Sequence, residues 1–285
     1  MSFSNTFINI INHIDDEGQE SQPRDLKVKE SILSSFVINP TQPIANFKNR
    51  KFNWKYLAGE LAWYLNQDRD VDFIGNFSKF WSKLTNPGTN EINSNYGSLV
   101  FNKEQFGWVI DALIEDKNSR QAIMFFNQPK FQFKENKDFV CTMYANFFIR
   151  NNKLNMKIQM RSNDIFYGLT FDAPFFSFLQ QSVYLKLKET YPDLEIGAYY
   201  HFADNLHFYE RHFELAESVK NEKISPESEH TFILNKPFID YDGDKVFLTD
   251  IANSFCKEIY ESIGEDRSTL EQDDYKNILT KYFTI

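Results

Sequence analysis

An α+β fold is the class this sequence predicts, and three observations carry the prediction. Apolar residues recur at helical spacing in several separate stretches, two strand-like runs are joined by a turn dipeptide, and helices do not alternate strictly with strands as a doubly wound parallel sheet requires. The expected architecture is a mixed sheet packed with helices. All 285 residues are read as one domain, with a helical tail of different character from about residue 240. No internal repeat and no low-complexity linker interrupts it.

Phe7, Ile8, Ile10, Ile11 and Ile14 form an apolar stripe that predicts a helix, and the polar stretch Asp15 to Arg24 reads as a loop. Leu26 to Ile38 reads as extended. Trp54 to Leu65 is a strongly apolar helix, and Lys103 to Ile114 a second, amphipathic one. Val140 to Ile149 and Leu154 to Met160 are strands joined by Asn151-Asn152, a pair suited to a tight hairpin turn. Ala173 to Leu187 is a buried helix, and Glu195 to Phe202 a further strand. The acidic tail holds two helical patterns, Leu248 to Ile263 and Leu270 to Tyr282, expected as an appendage or a lid.

The composition narrows the function classes. A net charge of -9 argues against a broad nucleic-acid-binding surface, which needs clustered Lys and Arg, but leaves room for a small anion held by a few arginines. Two distant cysteines, Cys141 and Cys256, do not make a disulfide framework and fit a reducing cytosol. No apolar run is long enough to span a bilayer, and no basic residue precedes Arg24 as a signal peptide requires, so a cytoplasmic location with no membrane partner is expected. No metal site is expected. The 30 Phe and 14 Tyr read as a bias shared with the abundant Asn, Lys and Ile.

Two constellations carry chemistry. Cys141 stands in Asp138-Phe139-Val140-Cys141-Thr142-Met143 at a strand entry; on spacing alone it reads as a small buried hydrophobe, because its sequence neighbours supply no cation to lower its pKa. About twenty residues on, Arg161-Ser162-Asn163-Asp164-Ile165-Phe166-Tyr167-Gly168-Leu169-Thr170-Phe171-Asp172 places an Arg, a hydroxyl and two carboxylates after a strand. That set suits gripping a phosphate and hydrogen-bonding a base. The plain alternative is a polar loop in which Asp172 caps the helix beginning at Ala173.

Together these residues resemble the thymidylate synthase superfamily. The resemblance extends to Gly59-Glu60-Leu61-Ala62-Trp63-Tyr64-Leu65, to Trp81, to Glu91-Ile92-Asn93-Ser94-Asn95-Tyr96-Gly97, to Asn118-Ser119-Arg120 and to Leu206-His207-Phe208-Tyr209, in the family's order from about Arg24 to His212. It implies a cysteine thiolate, here Cys141, that adds to C6 of a pyrimidine nucleotide, with 5,10-methylenetetrahydrofolate as the one-carbon donor. Glu60 shares a helix face with Tyr56 and Trp63, so its pKa is expected to be raised for proton transfer, and with Asn95 and Tyr96 it is expected to form a proton-moving water network.

By the same resemblance Arg24, Arg161 and Ser162 hold the 5′-phosphate, helped by Arg120 from the neighbouring subunit of a homodimer built on a sheet face. His207 and Tyr209 hold the sugar, and Trp81 and Asp164 face the folate. Gly168 and Asp172 meet the base. The sequence departs from the family at Gln121, where a second arginine is usual, and in a tail without the family's closing peptide.

Asp172 is the most informative departure, because thymidylate synthases carry Asn there to pair with uracil. A carboxylate accepts from the cytosine N4 amine, and one shared proton joins it to N3. With the strings around Cys141, Arg161 and His207, it resembles the branch that hydroxymethylates dCMP in phage DNA modification. Water then quenches at C5, and the expected products are 5-hydroxymethyl-dCMP and tetrahydrofolate. A dCMP methylase, a CMP hydroxymethylase, a thymidylate synthase acting on dUMP, and a nucleotide- or RNA-binding relic remain the alternatives.

Overall fold

A computed structural model describes residues 2–225, 229–264 and 270–285. The first apolar stripe forms α1 (Phe3–Glu17), capped by Ser2, with Phe7, Ile11 and Ile14 fully buried. The stretch expected as a loop is partly ordered: α1 runs on to Glu17, and β1 (Gln19–Ser21) pairs with β2 (Val28–Ile38). The expected strand β2 carries one residue, Leu33, in the left-handed region (φ 57°), where its pairing skips a position.

α2 (Trp54–Asn66) is buried along nearly its whole length, started by Asn53, whose side chain accepts from Tyr56 N, and ended by Gln67 at φ 58°. α3 (Val71–Gly75) and α4 (Tyr96–Val100) follow. A Cβ on Gly97 would fall 1.6 Å from Tyr64 O, so only glycine lets α4 approach the end of α2. The amphipathic run from Lys103 opens with one wide turn, Lys103–Gly107, before the regular α5 (Trp108–Glu115).

β3 (Ile123–Phe125) leads to the expected hairpin, β4 (Thr142–Arg150) and β5 (Lys153–Met160). Asn151 and Asn152 both have positive φ (51° and 58°), the conformation of a primed two-residue turn. The strand breaks at Arg161–Ser162 and resumes as the short β6 (Asn163–Asp164). α6 (Thr170–Leu187) begins three residues earlier than the apolar pattern suggests. Asp172 therefore lies inside its first turn and caps nothing; Asp164 does the capping, accepting from Phe166 N (2.7 Å) and Tyr167 N (3.1 Å).

β7 (Glu195–Tyr209) outruns its expected end at Phe202, which places His207 and Tyr209 on a strand. The main sheet has the order β1-β2-β7-β5-β4-β3, with β6 also on β7. The β5–β7 and β6–β7 pairs are parallel and the rest antiparallel, so the sheet is mixed. Ala145, Phe147 and Ile149 of β4 alternate inward on the side of α5, and Leu154, Met156 and Ile158 of β5 on the side of α6, which is apolar on most sides. The opposite face carries Tyr144, Phe148, Tyr200 and Phe202, all partly exposed, and the exposed Phe125, with Lys157 seated over the Tyr144 and Phe202 rings.

α7 (Phe213–Lys220) packs on α1. The tail is more than two helices. β8 (Ile233–Leu234) is followed by the hairpin β9 (Ile239–Tyr241)–β10 (Val246–Leu248), then α8 (Asp250–Glu261), α9 (Gln272–Thr280) and β11 (Phe283–Thr284), which pairs with β8. α8 and α9 both pack on α2; the Gln272 side chain donates to Asn53 Oδ1 (3.0 Å) and accepts from Lys55 N (3.0 Å). Among the described residues no helix is long and apolar enough to cross a membrane.

Candidate active site

The broken strand joins the two chemical motifs. Arg161 N donates to Cys141 O (2.9 Å), its Nε donates to Val140 O (3.1 Å), and Nη2 reaches both Phe139 O and, at 3.5 Å, Cys141 Sγ. Burial pushes the Cys141 thiol up, and the Arg161 guanidinium offsets only part of that rise. The cation missing from the cysteine's sequence neighbourhood is thus delivered by the fold. Asp138 fixes the same loop by accepting from Asn93 N (2.6 Å), Ser94 N (2.7 Å) and Ser94 Oγ (2.5 Å), which ties it to the segment entering α4.

A buried polar region lies between α2, α4 and α6. Glu60 is 6% exposed, and Tyr56 Oη (2.8 Å) and Tyr64 Oη (3.3 Å) donate to its Oε1. Burial pushes its carboxyl up to about 8, against the pull of the tyrosine bonds. Trp81 Nε1 donates to Tyr56 Oη (3.0 Å), so the tryptophan joins the Glu60 chain through a tyrosine. Thr142 Oγ1 donates to Tyr96 Oη (2.9 Å), and burial raises that phenol well above its usual range.

Asp172 sits one helical step into α6, where Asn163 Nδ2 donates to its Oδ2 at 2.7 Å. Burial raises the Asp172 carboxyl to about 6, opposed by that bond. Gly168 makes room for the pair, since a Cβ there would stand 2.7 Å from Asn163 Nδ2 and 3.1 Å from Asp172 Oδ2. Asp164 is likewise raised to about 6 by burial; its Oδ2 and Arg50 Nη1 are buried atoms without a partner among the described residues.

On the other side of Arg161 is a cleft of about 510 Å³ lined by Arg24, Glu30, Arg161, Ser162, His207 and Tyr209 among others. Arg24, exposed and in the left-handed region (φ 53°), stands at its mouth. The β2–β7 register places Glu30 opposite His207 and Val28 opposite Tyr209. Asn205 Nδ2 donates to Glu30 Oε2 (2.6 Å), and Asn205 Oδ1 lies 2.8 Å from His207 Nδ1. An amide oxygen only accepts, so Nδ1 carries the proton and Nε2 is left as an acceptor. Burial lowers the His207 pKa to about 4, which keeps the ring neutral.

Two expected residues stand elsewhere. Asn95 makes no hydrogen bond to Glu60 or Tyr96 among the described residues and is held by backbone groups: Nδ2 donates to Trp63 O (2.9 Å) and Asp68 O (2.8 Å), while Oδ1 accepts from Ser98 N (2.9 Å) as the cap of α4. Arg120 is exposed in the loop before β3 and makes no hydrogen bond or ion pair to the other site residues described. Trp63, expected on the Glu60 face, is fully buried, and Tyr64 supplies the contact.

Sequence reasoning passed over Tyr64, Asn163, Asn205, Glu30 and Arg50 as site residues. Tyr64 was findable, four residues after Glu60 on one helix face. Asn205 had a weaker signal, two before His207 on the same side of a strand. Glu30 and Arg50 are brought in by cross-strand register and long-range folding, which leave no local mark.

The family model described as "Thymidylate synthase" matches residues 5–251. The chain is 30% identical to the deoxycytidylate 5-hydroxymethyltransferase of Enterobacteria phage T2, over 77% of this chain and 87% of that protein. It is 28% identical to the deoxyuridylate hydroxymethyltransferase of Bacillus phage SP01, over 71% of this chain and 56% of that protein. Its fold is that of thermostable thymidylate synthase A from Bacillus subtilis (TM-score 0.63, 18% identity, 79% of this chain and 86% of that one). With the cysteine–arginine pair, the glutamate helix and the cleft in the family's order, the chain belongs to the thymidylate synthase family.

Proposed function

We propose that the protein is a folate-dependent dCMP 5-hydroxymethyltransferase. The observation that carries this reading is Asp172: a carboxyl, not an amide, is buried within electrostatic reach of Glu60 and Cys141, and the phage T2 relative is named a deoxycytidylate 5-hydroxymethyltransferase. An amide offers uracil one donor and one acceptor in the right order. A carboxyl accepts from the exocyclic amine of cytosine and shares one proton with N3.

In this reading the Cys141 sulfur forms a bond to C6, and the electron pair of the C5–C6 double bond makes C5 the nucleophile. Arg161 favours the thiolate and, with Ser162 and Arg24, takes the 5′-phosphate. Neutral His207 accepts the sugar hydroxyl proton at Nε2, and Tyr209 completes that contact. Glu60, protonated near neutral pH, moves a proton at the base through its Tyr56 and Tyr64 hydrogen bonds, while Tyr96 and Thr142 fix the neighbouring wall.

5,10-Methylenetetrahydrofolate supplies the one-carbon unit at C5. The residues present fit such a ligand: Trp81 offers a flat apolar face, and the partnerless buried atoms Asp164 Oδ2 and Arg50 Nη1 suit a ring system with hydrogen-bonding edges. The C5 proton is lost to the Glu60 network, hydroxide from water ends on the new carbon, and the Cys141 sulfur leaves C6 as the C5–C6 double bond reforms, giving 5-hydroxymethyl-dCMP. The exposed Arg120 and the aromatic outer face of the sheet support a homodimer in which Arg120 reaches the partner's phosphate site.

Mass spectrometry of the nucleotide formed from dCMP and 5,10-methylenetetrahydrofolate tests the reading. A hydroxymethylated product is expected, and dihydrofolate should not accumulate. A methylated product with stoichiometric dihydrofolate would move the protein to the methylase branch. The similarity to a deoxyuridylate hydroxymethyltransferase favours one second reading, the same chemistry on dUMP, so dUMP belongs in the same experiment.

A further inference from the structure

A carboxyl group is a degenerate reader of pyrimidines. With the proton on one oxygen it matches cytosine, donating to N3 and accepting from the N4 amine. With the proton on the other it matches uracil, donating to O4 and accepting from N3–H. Asp172 therefore needs something to break its symmetry, and charge alone does not. The titratable groups electrostatically coupled to it are Tyr56, Glu60 and Tyr64 of α2, Tyr96 of α4, Cys141, Asp164 of β6 and Tyr199 of β7, all of them acids.

Asn163 differs from all of these. It is 3% exposed, and its Nδ2 is the one donor among the described residues that reaches the Asp172 carboxyl, at 2.7 Å on Oδ2. Its Oδ1 is buried with no partner, so no side-chain hydrogen bond other than the one to Asp172 orients the amide. Its backbone lies beside Leu206 in the β6–β7 pair, and the missing Cβ of Gly168 leaves the gap that the pair fills. An amide held this way serves Asp172 rather than the fold.

We propose that Asn163 is the specificity-determining partner of Asp172: by donating to Oδ2 it favours that oxygen as the acceptor and Oδ1 as the proton carrier, which is the cytosine order with Oδ2 on the exocyclic position and Oδ1 on N3. This rests on Asp172 reading the base. Asn163 is a positioning residue, and it acts through Asp172 without needing to touch the nucleotide.

Asn163→Leu, close in shape but without a donor, and Asn163→Ser, which keeps one, should be assayed for kcat/KM with dCMP and with dUMP. Removing a hydrogen bond to a charged group predicts that Asn163→Leu loses about tenfold or more of the dCMP preference, chiefly by gaining dUMP turnover. Asn163→Ser should recover part of the preference. Asn163→Leu placed in an Asp172→Asn background should add little, because the partner it acts through is gone.

Unchanged preference in Asn163→Leu, or equal loss with both nucleotides, overturns the proposal. Should Asn163→Leu fail to fold, Asn163→Ser alone decides, since a purely structural residue would lower both activities together. The two failures are separable. If Asp172→Asn shifts base preference while Asn163→Leu does not, only the role of Asn163 is lost. If Asp172→Asn itself changes nothing, the cytosine reading falls and this proposal with it.

Discussion

In the cleft beside Arg161, Glu30 is partly desolvated yet sits below its usual range, because hydrogen bonds from Asn205, Ser21 and Gln19 outweigh the burial. In the buried region between α2 and α6, the proposed base end, Glu60 and Asp172 rise to about 8 and about 6, because burial outweighs the few donors that reach them. Desolvation acts on all three carboxyls, but far more strongly on the deeply buried Glu60 and Asp172, and Asp138 is raised despite three donors, so depth of burial decides the sign. The first region is set up to bind without titrating. In the second, protons are exchangeable near neutral pH, which acid–base chemistry on a pyrimidine requires.

The strongest test of that division is Cys141→Ser. A serine hydroxyl is far less ionised than a thiol, so turnover should fall on the order of 10⁴-fold or more, while dCMP binding, which belongs to the other end, survives. Retained turnover would remove the covalent step.

Glu60→Gln probes the base end in two ways. Loss of a general acid should lower kcat on the order of 10²- to 10³-fold. The same change should flatten the pH dependence of stability. Folded Glu60 keeps its proton up to about 8, whereas the unfolded chain releases it near the ordinary value of 4.5. The stabilisation from this proton is therefore full below the unfolded value and lost as pH rises through about 8. Melting of the wild type should decline across that window more than melting of Glu60→Gln, each kcal/mol being worth roughly 2–4 °C in a chain of this size. Parallel curves would mean that Glu60 titrates normally.

Arg120→Ala sharpens the phosphate end. Alone it should weaken turnover about tenfold or more through the lost charge-assisted contact. Mixed with Cys141→Ser subunits, it should regain part of the activity, since one hybrid site keeps both groups. No recovery after verified subunit exchange would take Arg120 out of a neighbour's site.

Much of the frame behind this division is legible in the sequence. Helical spacing placed α2 and with it Glu60, and the Asn151-Asn152 pair marked the hairpin that leads from Cys141 to Arg161. What failed was local reasoning about groups whose partners lie far along the chain. The cation beside Cys141 was invisible because Arg161 is twenty residues away and arrives through a broken strand. Asp172 reads as a helix cap because apolar periodicity cannot register the wide turn Ile165–Leu169, capped by Asp164, that runs straight into Thr170 at the start of α6. Asn95 matched a motif by position, yet its amide spans three backbone groups, which sequence cannot display.

The central claim is that the Asp172 carboxyl reads cytosine, and steady-state kinetics of wild type and Asp172→Asn with dCMP and dUMP tests it most directly. A site built for one hydrogen-bond order leaves buried polar groups unpaired with the other base, so the preference for dCMP should be at least about tens-fold. Asp172→Asn should lose dCMP activity and gain measurable turnover of dUMP, because the amide accepts from N3–H and donates to O4. An unchanged dCMP-over-dUMP ratio in Asp172→Asn would contradict the account.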